Sequence, residues 1–140
     1  MLICMNVHAS EFPNIFKNYP QYTVYGLSPD PSKTSHRISM NMKEFGFQLY
    51  GVYPKDVTIA NIPIVQTLQN VPKEYRKMVN VFRRSEKIID VVEEAIEAGG
   101  VELLWFQLGI TDEKAETKAQ NHGIKVISDR CIYVEYMKSK

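Results

Sequence analysis

The stretch Tyr22-Thr23-Val24-Tyr25-Gly26-Leu27-Ser28-Pro29 decides the fold, because a strand signal in it runs directly into a turn. Aromatic and β-branched residues lead into Gly26-Leu27-Ser28-Pro29, which punctuates them. Past Asp30-Pro31-Ser32-Lys33-Thr34-Ser35-His36-Arg37, the apolar residues Ile38, Met42 and Phe45 recur at helical spacing until Gly46. A strand that feeds a helix through one loop is the first half of a β-α-β unit.

The same alternation continues along the chain. Phe47 to Tyr53 reads as a second strand closed by Pro54, and Met78 to Phe82 as a third. Ser85 is positioned to cap a helix whose Ile88, Val91, Val92, Ala95 and Ile96 form one apolar stripe, with Gly99-Gly100 as its stop. Val101 to Gln107 is nearly all apolar, as a strand buried on both faces requires. Thr111 or Asp112 caps a helix through Ala115 and Ala119 that ends at Gly123, and Ile124 to Ile127 is a fifth strand. Ile132 to Tyr136 is expected to add a short last strand. Lys55 to Lys77, interrupted by Pro63 and Pro72, is expected to be an irregular crossover with one helical turn at Val65 to Leu68. A helix is expected near Ala9 to Asn18, within an N-terminal extension over residues 1–20.

This pattern predicts an α/β protein: a single domain over residues 1–140, with a doubly wound parallel sheet of about five strands in three α/β/α layers. Its strand order should be 3-2-1-4-5. Ligands of such sheets sit at the carboxyl ends of the strands, where the order reverses. Residues 26–37, 53–55, 82–84 and 107–109 then converge.

Composition narrows the function. The chain has 140 residues, 44% hydrophobic and 24% charged, an ordinary globular mixture. Seventeen basic and sixteen acidic residues leave a net charge of +1, which gives no footprint for coating nucleic acid. The sum conceals segregation. Lys73, Arg76, Lys77, Arg83, Arg84 and Lys87 cluster, whereas residues 88–113 carry seven acids and no base. Cys4 and Cys131 have no zinc-site spacing and read as free thiols of a reducing cytosol. Met1-Leu2-Ile3-Cys4-Met5 lacks the basic start of a secretory signal, and no run approaches a membrane span. A cytoplasmic protein is expected, without nucleic-acid or membrane partners.

The loop after the first strand is the candidate anion site. Gly26 permits close approach, Thr34 or Ser35 is positioned to cap the following helix, and that helix's free amides favour phosphate. Ser28, Lys33 and Arg37 are further donors, while a plain solvated loop reads equally well from spacing alone. Arg83 and Arg84 stand at a helix start, where cations oppose the dipole unless an anion is near or a carboxylate such as Glu86 pairs with them. Gln107 is a candidate polar contact at the end of the fourth strand. GxGxxG and GxxxxGK[ST] are both missing, and Tyr53-Pro54-Lys55 stands where an acid would bind the ribose of NAD. Asp129 and Arg130 are expected to pair, and no histidine neighbours Cys131 in sequence to activate it.

Five blocks carry a resemblance: Tyr25-Gly26-Leu27-Ser28-Pro29, Ser35-His36-Arg37-Ile38, Asn80-Val81-Phe82-Arg83-Arg84, Trp105-Phe106-Gln107-Leu108-Gly109 and Ser128-Asp129-Arg130-Cys131. From about Tyr22 to Tyr136 the chain resembles the small stand-alone CoA-binding domain proteins. Their Rossmann-like fold is related to the nucleotide-binding domain of the succinyl-CoA synthetase α subunit. The resemblance implies coenzyme A, or an acyl-CoA, lying across the strand ends. Its phosphates would meet Gly26, Ser28, Lys33, Ser35 and Arg37. Its adenosine would lie near Tyr53, Pro54, Lys55, Val81, Phe82 and Arg83. Where the family has Asn before the Pro, Tyr53 stands here, and its ring is able to stack on adenine. Lys33 replaces an Arg, which keeps the charge and loses the bidentate fork. With Leu27, Arg84 and Gln107 this completes the candidate set, which contains no catalytic residue and no metal ligand. The expected activity is a non-catalytic binding module. The alternatives are a CoA-dependent ligase or transferase component acting with a partner subunit, and a thiol-redox regulator using Cys131. A homodimer is compatible with the sequence, although no motif marks one.

Overall fold

A computed structural model describes residues 7–140, so Cys4 and the apolar start Met1 to Met5 lie outside the described residues. A 3-10 turn at Ala9–Glu11 opens helix α1 (Phe12–Asn18), which matches the expected N-terminal helix. Strand β1 (Gln21–Tyr25) follows, then helix α2 (Thr34–Glu44) and strand β2 (Gln48–Val52). Next come the two-residue strand β3 (Ile64–Val65), a 3-10 turn at Leu68–Asn70 and the short helix α3 (Lys73–Arg76). Strand β4 (Met78–Val81), helix α4 (Ile88–Ala98), strand β5 (Leu103–Phe106), helix α5 (Glu113–Asn121), strand β6 (Lys125–Ile127) and helix α6 (Ile132–Lys138) complete the chain. All six strands are parallel, in the order β3-β2-β1-β4-β5-β6.

The expected order holds and gains a strand. Its third position is filled by Ile64–Val65, from the segment read as irregular, while Met78–Val81 sits beside β1. Gly51 makes room for that extra strand. A Cβ there would stand 2.5 Å from Ile64 Cδ1 and 2.9 Å from Leu27 Cδ2, so any side chain would force Ile64 and Leu27 to repack. The helical turn expected at Val65 to Leu68 is accordingly displaced to Leu68–Asn70.

The other clear departure is at the C-terminal end. Ile132 to Tyr136 is helical, not a strand. Its apolar residues fit both periods, and tertiary contact selects the helix: Ile132 and Glu135 turn inward while Tyr136 packs edge-on against Phe16 and Phe47. Capping differs as well. Asp112 caps α5, its Oδ1 accepting the Lys114 and Ala115 amides at 3.0 and 3.2 Å. Ser85 does not cap α4. It opens a 3-10 turn, and its Oγ accepts the Thr111 amide at 3.2 Å. Lys33, not Thr34 or Ser35, occupies the N-cap of α2 and supplies no side-chain cap.

Two cores cover the sheet faces. Phe12, Phe16, Tyr22, Met42 and Trp105 fill one beneath α1, α2 and α6, and Val79, Val81, Leu104 and Phe106 fill the other against the Ile88, Val91, Val92 and Ala95 stripe of α4. Trp105 and Phe106 thus point to opposite faces of one strand, as period-two geometry requires. No described helix is long and apolar enough to cross a membrane. Arg76, one of the six basic residues between Lys73 and Lys87, is buried. Its guanidinium donates to the carbonyls of Gly99, Gln69 and Val71 and so ties loops together.

Candidate functional site

The loop from β1 to α2 is fixed by its own polar residues. Gly26 has φ +87°, and a Cβ on it would stand 2.3 Å from the Phe82 carbonyl oxygen. Its lack of a side chain therefore serves the close passage of two backbones. The Ser28 amide donates to Ser35 Oγ at 3.0 Å, and His36 Nδ1 lies 2.9 Å from the Ser28 carbonyl. Asp30 Oδ1 accepts the Ser32 amide and hydroxyl at 2.9 and 2.8 Å, and these bonds hold its carboxyl below the ordinary range, with Lys33 and His36 adding to the effect. The Arg37 guanidinium folds back onto the Ser32 carbonyl and Thr34 Oγ1. The amides of His36 and Arg37 bond to the Lys33 carbonyl, and those of Thr34 and Ser35 have no acceptor among the described residues.

Two clefts open at the carboxyl ends of the strands. The first holds about 300 Å³ and is walled by Tyr25, Gly26, Val52, Tyr53, Pro54, Gln66, Phe82 and Arg83. The second holds about 580 Å³ and is walled by Thr34, Phe82, Arg83, Arg84, Ser85, Glu86 and residues 107–110. Phe82 and Arg83 form the partition between them. The two arginines differ. Arg84 Nε lies 3.3 Å from Glu86 Oε1 with its side chain 78% exposed, whereas Arg83 has no ion pair among the described residues. Under the first cleft, Tyr25 OH donates to Glu94 Oε1 at 2.5 Å, and Glu94 Oε2 accepts the Leu68 amide at 2.7 Å. Burial, then that bond and the Glu94 charge, push the Tyr25 hydroxyl upward, and nearby Arg83 opposes them.

The expected set thus separates in space. Gly26, Tyr53, Pro54, Phe82, Arg83, Arg84 and Gln107 line the clefts. Ser28 and Lys33 lie in the adjoining loop, Ser35 and Arg37 in the first turn of α2, and Lys55 is exposed beyond Pro54. Leu27 and Val81 are core residues on opposite faces of the sheet. Gln107 is 4% exposed, and its Oε1 is held by Asn80 Nδ2 at 3.3 Å and by the Ile132 amide at 3.4 Å. Its Nε2 has no partner among the described residues and is not sealed in the core, so that end is the donor left for the cleft.

Tyr25, Thr34, Gln66 and Leu108 are wall residues outside the expected set. Gln66 follows β3, which carries no sequence signal, whereas Tyr25 ends a strand that was legible. Arg130 pairs with Glu135 at 3.6 Å and not with Asp129, which takes φ +57° and accepts the Gly109 amide at 2.7 Å. A third cleft of about 480 Å³, at the ends of β5 and β6, is walled by Leu108, Ser128, Cys131, Val134 and their neighbours. Among the described residues no three His, Cys, Asp or Glu side chains group to hold a metal.

Comparison with known proteins extends this geometry. Residues 20–137 match the CoA binding domain family. The protein YneT of Bacillus subtilis (strain 168) is 32% identical over 135 residues, covering 96% of this chain and 98% of YneT. A hypothetical protein from Pyrococcus horikoshii OT3 superimposes with a TM-score of 0.87 at 22% identity, covering 99% of this chain and 96% of that one. The dinucleotide forming acetyl-coenzyme A synthetase 1 of Ca. Korarchaeum cryptofilum superimposes with a TM-score of 0.69 at 20% identity, over 81% of this chain and 27% of that one.

Proposed function

The chain belongs to the CoA binding domain family, and from that premise we propose that it binds coenzyme A or an acyl-CoA along the carboxyl ends of its strands, as a binding module without a catalytic set of its own. The observation that carries the reading is Arg83, an exposed cation without an ion-pair partner among the described residues, on the partition between an aromatic cleft and a polar one. Arg83 with the open Thr34 and Ser35 amides suits a pyrophosphate. Tyr53 and Phe82 suit an adenine ring between them, and Gln107 Nε2 suits a carbonyl of the pantetheine arm. Lys33 and Arg37 add positive charge beside the same loop.

Calorimetric titration with CoA, NAD and ATP tests this. CoA should bind most tightly, with affinity falling as salt rises, because the exposed part of the attraction is screened. No heat with millimolar CoA would overturn the reading. A second reading, a component of a larger CoA-dependent ligase, is favoured by the likeness to 27% of the synthetase chain. Under that reading a partner subunit co-purifies and confers acyl-CoA formation.

A further inference from the structure

We infer that the cleft at the ends of β5 and β6 seats an apolar acyl group, so that the protein distinguishes an acyl-CoA from free CoA; this rests on the proposed CoA reading. The three clefts form a row along one edge of the sheet. Phe82 and Arg83 are shared by the first and second, and Leu108 by the second and third. From β1 to β6 is three strand steps, about 14 Å at ~4.8 Å each, a span that suits one elongated ligand. If the nucleotide takes the aromatic cleft and the phosphates meet Arg83, the sulfur end of the arm reaches Leu108.

The chemistry there changes. Leu108 is 66% exposed and Val134 43%, and both face the third cleft. They are two of the three large hydrophobic side chains exposed among the described residues. Its two cations are already paired, since Glu135 takes Arg130 at 3.6 Å and Lys138 at 3.8 Å, and Asp129 accepts the Gly109 amide at 2.7 Å. The wall is mixed, but what it offers a ligand is the Leu108 and Val134 side chains beside the Asp129 carboxylate and no unpaired lysine or arginine, which suits an alkyl acyl group better than a carboxylated one.

The experiment titrates the full chain with CoA, acetyl-CoA, butyryl-CoA and octanoyl-CoA, and repeats the series on Val134→Asp, a residue outside the two nucleotide clefts. A fully buried methylene is worth roughly fourfold in affinity, so an open cleft should give butyryl-CoA about a tenfold advantage over CoA. Val134→Asp should remove that advantage. In the unaltered protein, alkylation of Cys131 by iodoacetamide, followed by peptide mass, should slow more with butyryl-CoA than with desulfo-CoA, which has no thiol to consume the reagent. Equal affinities across the series, or Cys131 protected no better by the ester, would overturn the inference and leave CoA binding intact. Failure of CoA itself to bind would instead overturn the reading on which it rests.

Discussion

The two ends of the sheet are built from opposite materials. At the amino ends of the strands, Phe16, Phe45, Phe47 and Tyr136 lock ring against ring, with centroids 5.0 to 6.2 Å apart. Lys140 lies over the Phe45 ring at 4.5 Å, and Tyr19 closes the edge by donating to Glu102 at 2.8 Å. At the carboxyl ends, the side chains are cations, amides and hydroxyls set around open clefts. Helices in a parallel α/β sheet run back against the strands, so their amide-rich starts gather at one end and their carbonyl-rich ends at the other. The lesson is a division of labour: one end supplies cohesion and leaves the other free to expose polar groups.

That contrast can be broken first at the amino end. Phe16→Ala removes a buried ring from the centre of the aromatic group and should cost about 3–5 kcal/mol in urea unfolding. CoA affinity of the folded fraction should stay unchanged, and a matching loss of affinity would show that the two ends are coupled. Gly26→Ala comes next. The added Cβ meets the Phe82 carbonyl in a left-handed backbone, so we expect a loss of about 3 kcal/mol. Affinity should fall as well, since Phe82 and Arg83 would move. A cost under about 1 kcal/mol would mean that the two backbones separate easily.

The arginines give a smaller and sharper test. Arg83→Ala should weaken CoA about 10- to 100-fold, the worth of a charge-assisted hydrogen bond to phosphate, with little change in stability. Arg84→Ala should change affinity no more than about threefold, because that side chain is exposed and paired with Glu86. Equal losses would erase the distinction drawn between them.

The smallest effect lies at Tyr19. Its hydroxyl is pushed up to about 12 from 10.0, by burial first and then by the bond to Glu102 and its charge. A group whose pKa is higher folded than unfolded supports folding while protonated, so its contribution is whole below about pH 10 and vanishes as pH rises through 12. Between those values the unaltered protein should lose stability more steeply than Tyr19→Phe. Parallel curves would leave the Tyr19–Glu102 bond without energetic weight.

Much of this was legible one segment at a time. Tyr22 to Leu27, the Ile88 to Ala95 stripe and the apolar run around Trp105 each exceed a few residues and carry a clear period, so their strands and helices lie where the pattern puts them. Strand β3 was not legible, since two residues carry no period and its place depends on the space above Gly51. Ile132 to Tyr136 fits either period, and the aromatic group decides between them. At the site, Arg83 stood out as a cation at a helix start, but nothing local separates it from Arg84 or marks Arg76 as buried. Leu108 and Val134 are 26 positions apart by number, and only the pairing of β5 with β6 brings their loops together.

The alternation of strands and helices, the turn at Gly26 and the charges at the strand ends are properties of the sequence by itself, because periodicity and backbone conformation are settled by near neighbours. The tertiary structure alone decided which segment fills the third place in the sheet, which of Arg83 and Arg84 has no ion pair among the described residues, and that three clefts share walls along one edge. The reason is physical. The neighbours of a side chain in a folded core or cleft come from distant parts of the chain, and whether a charge is paired, buried or free depends on those neighbours.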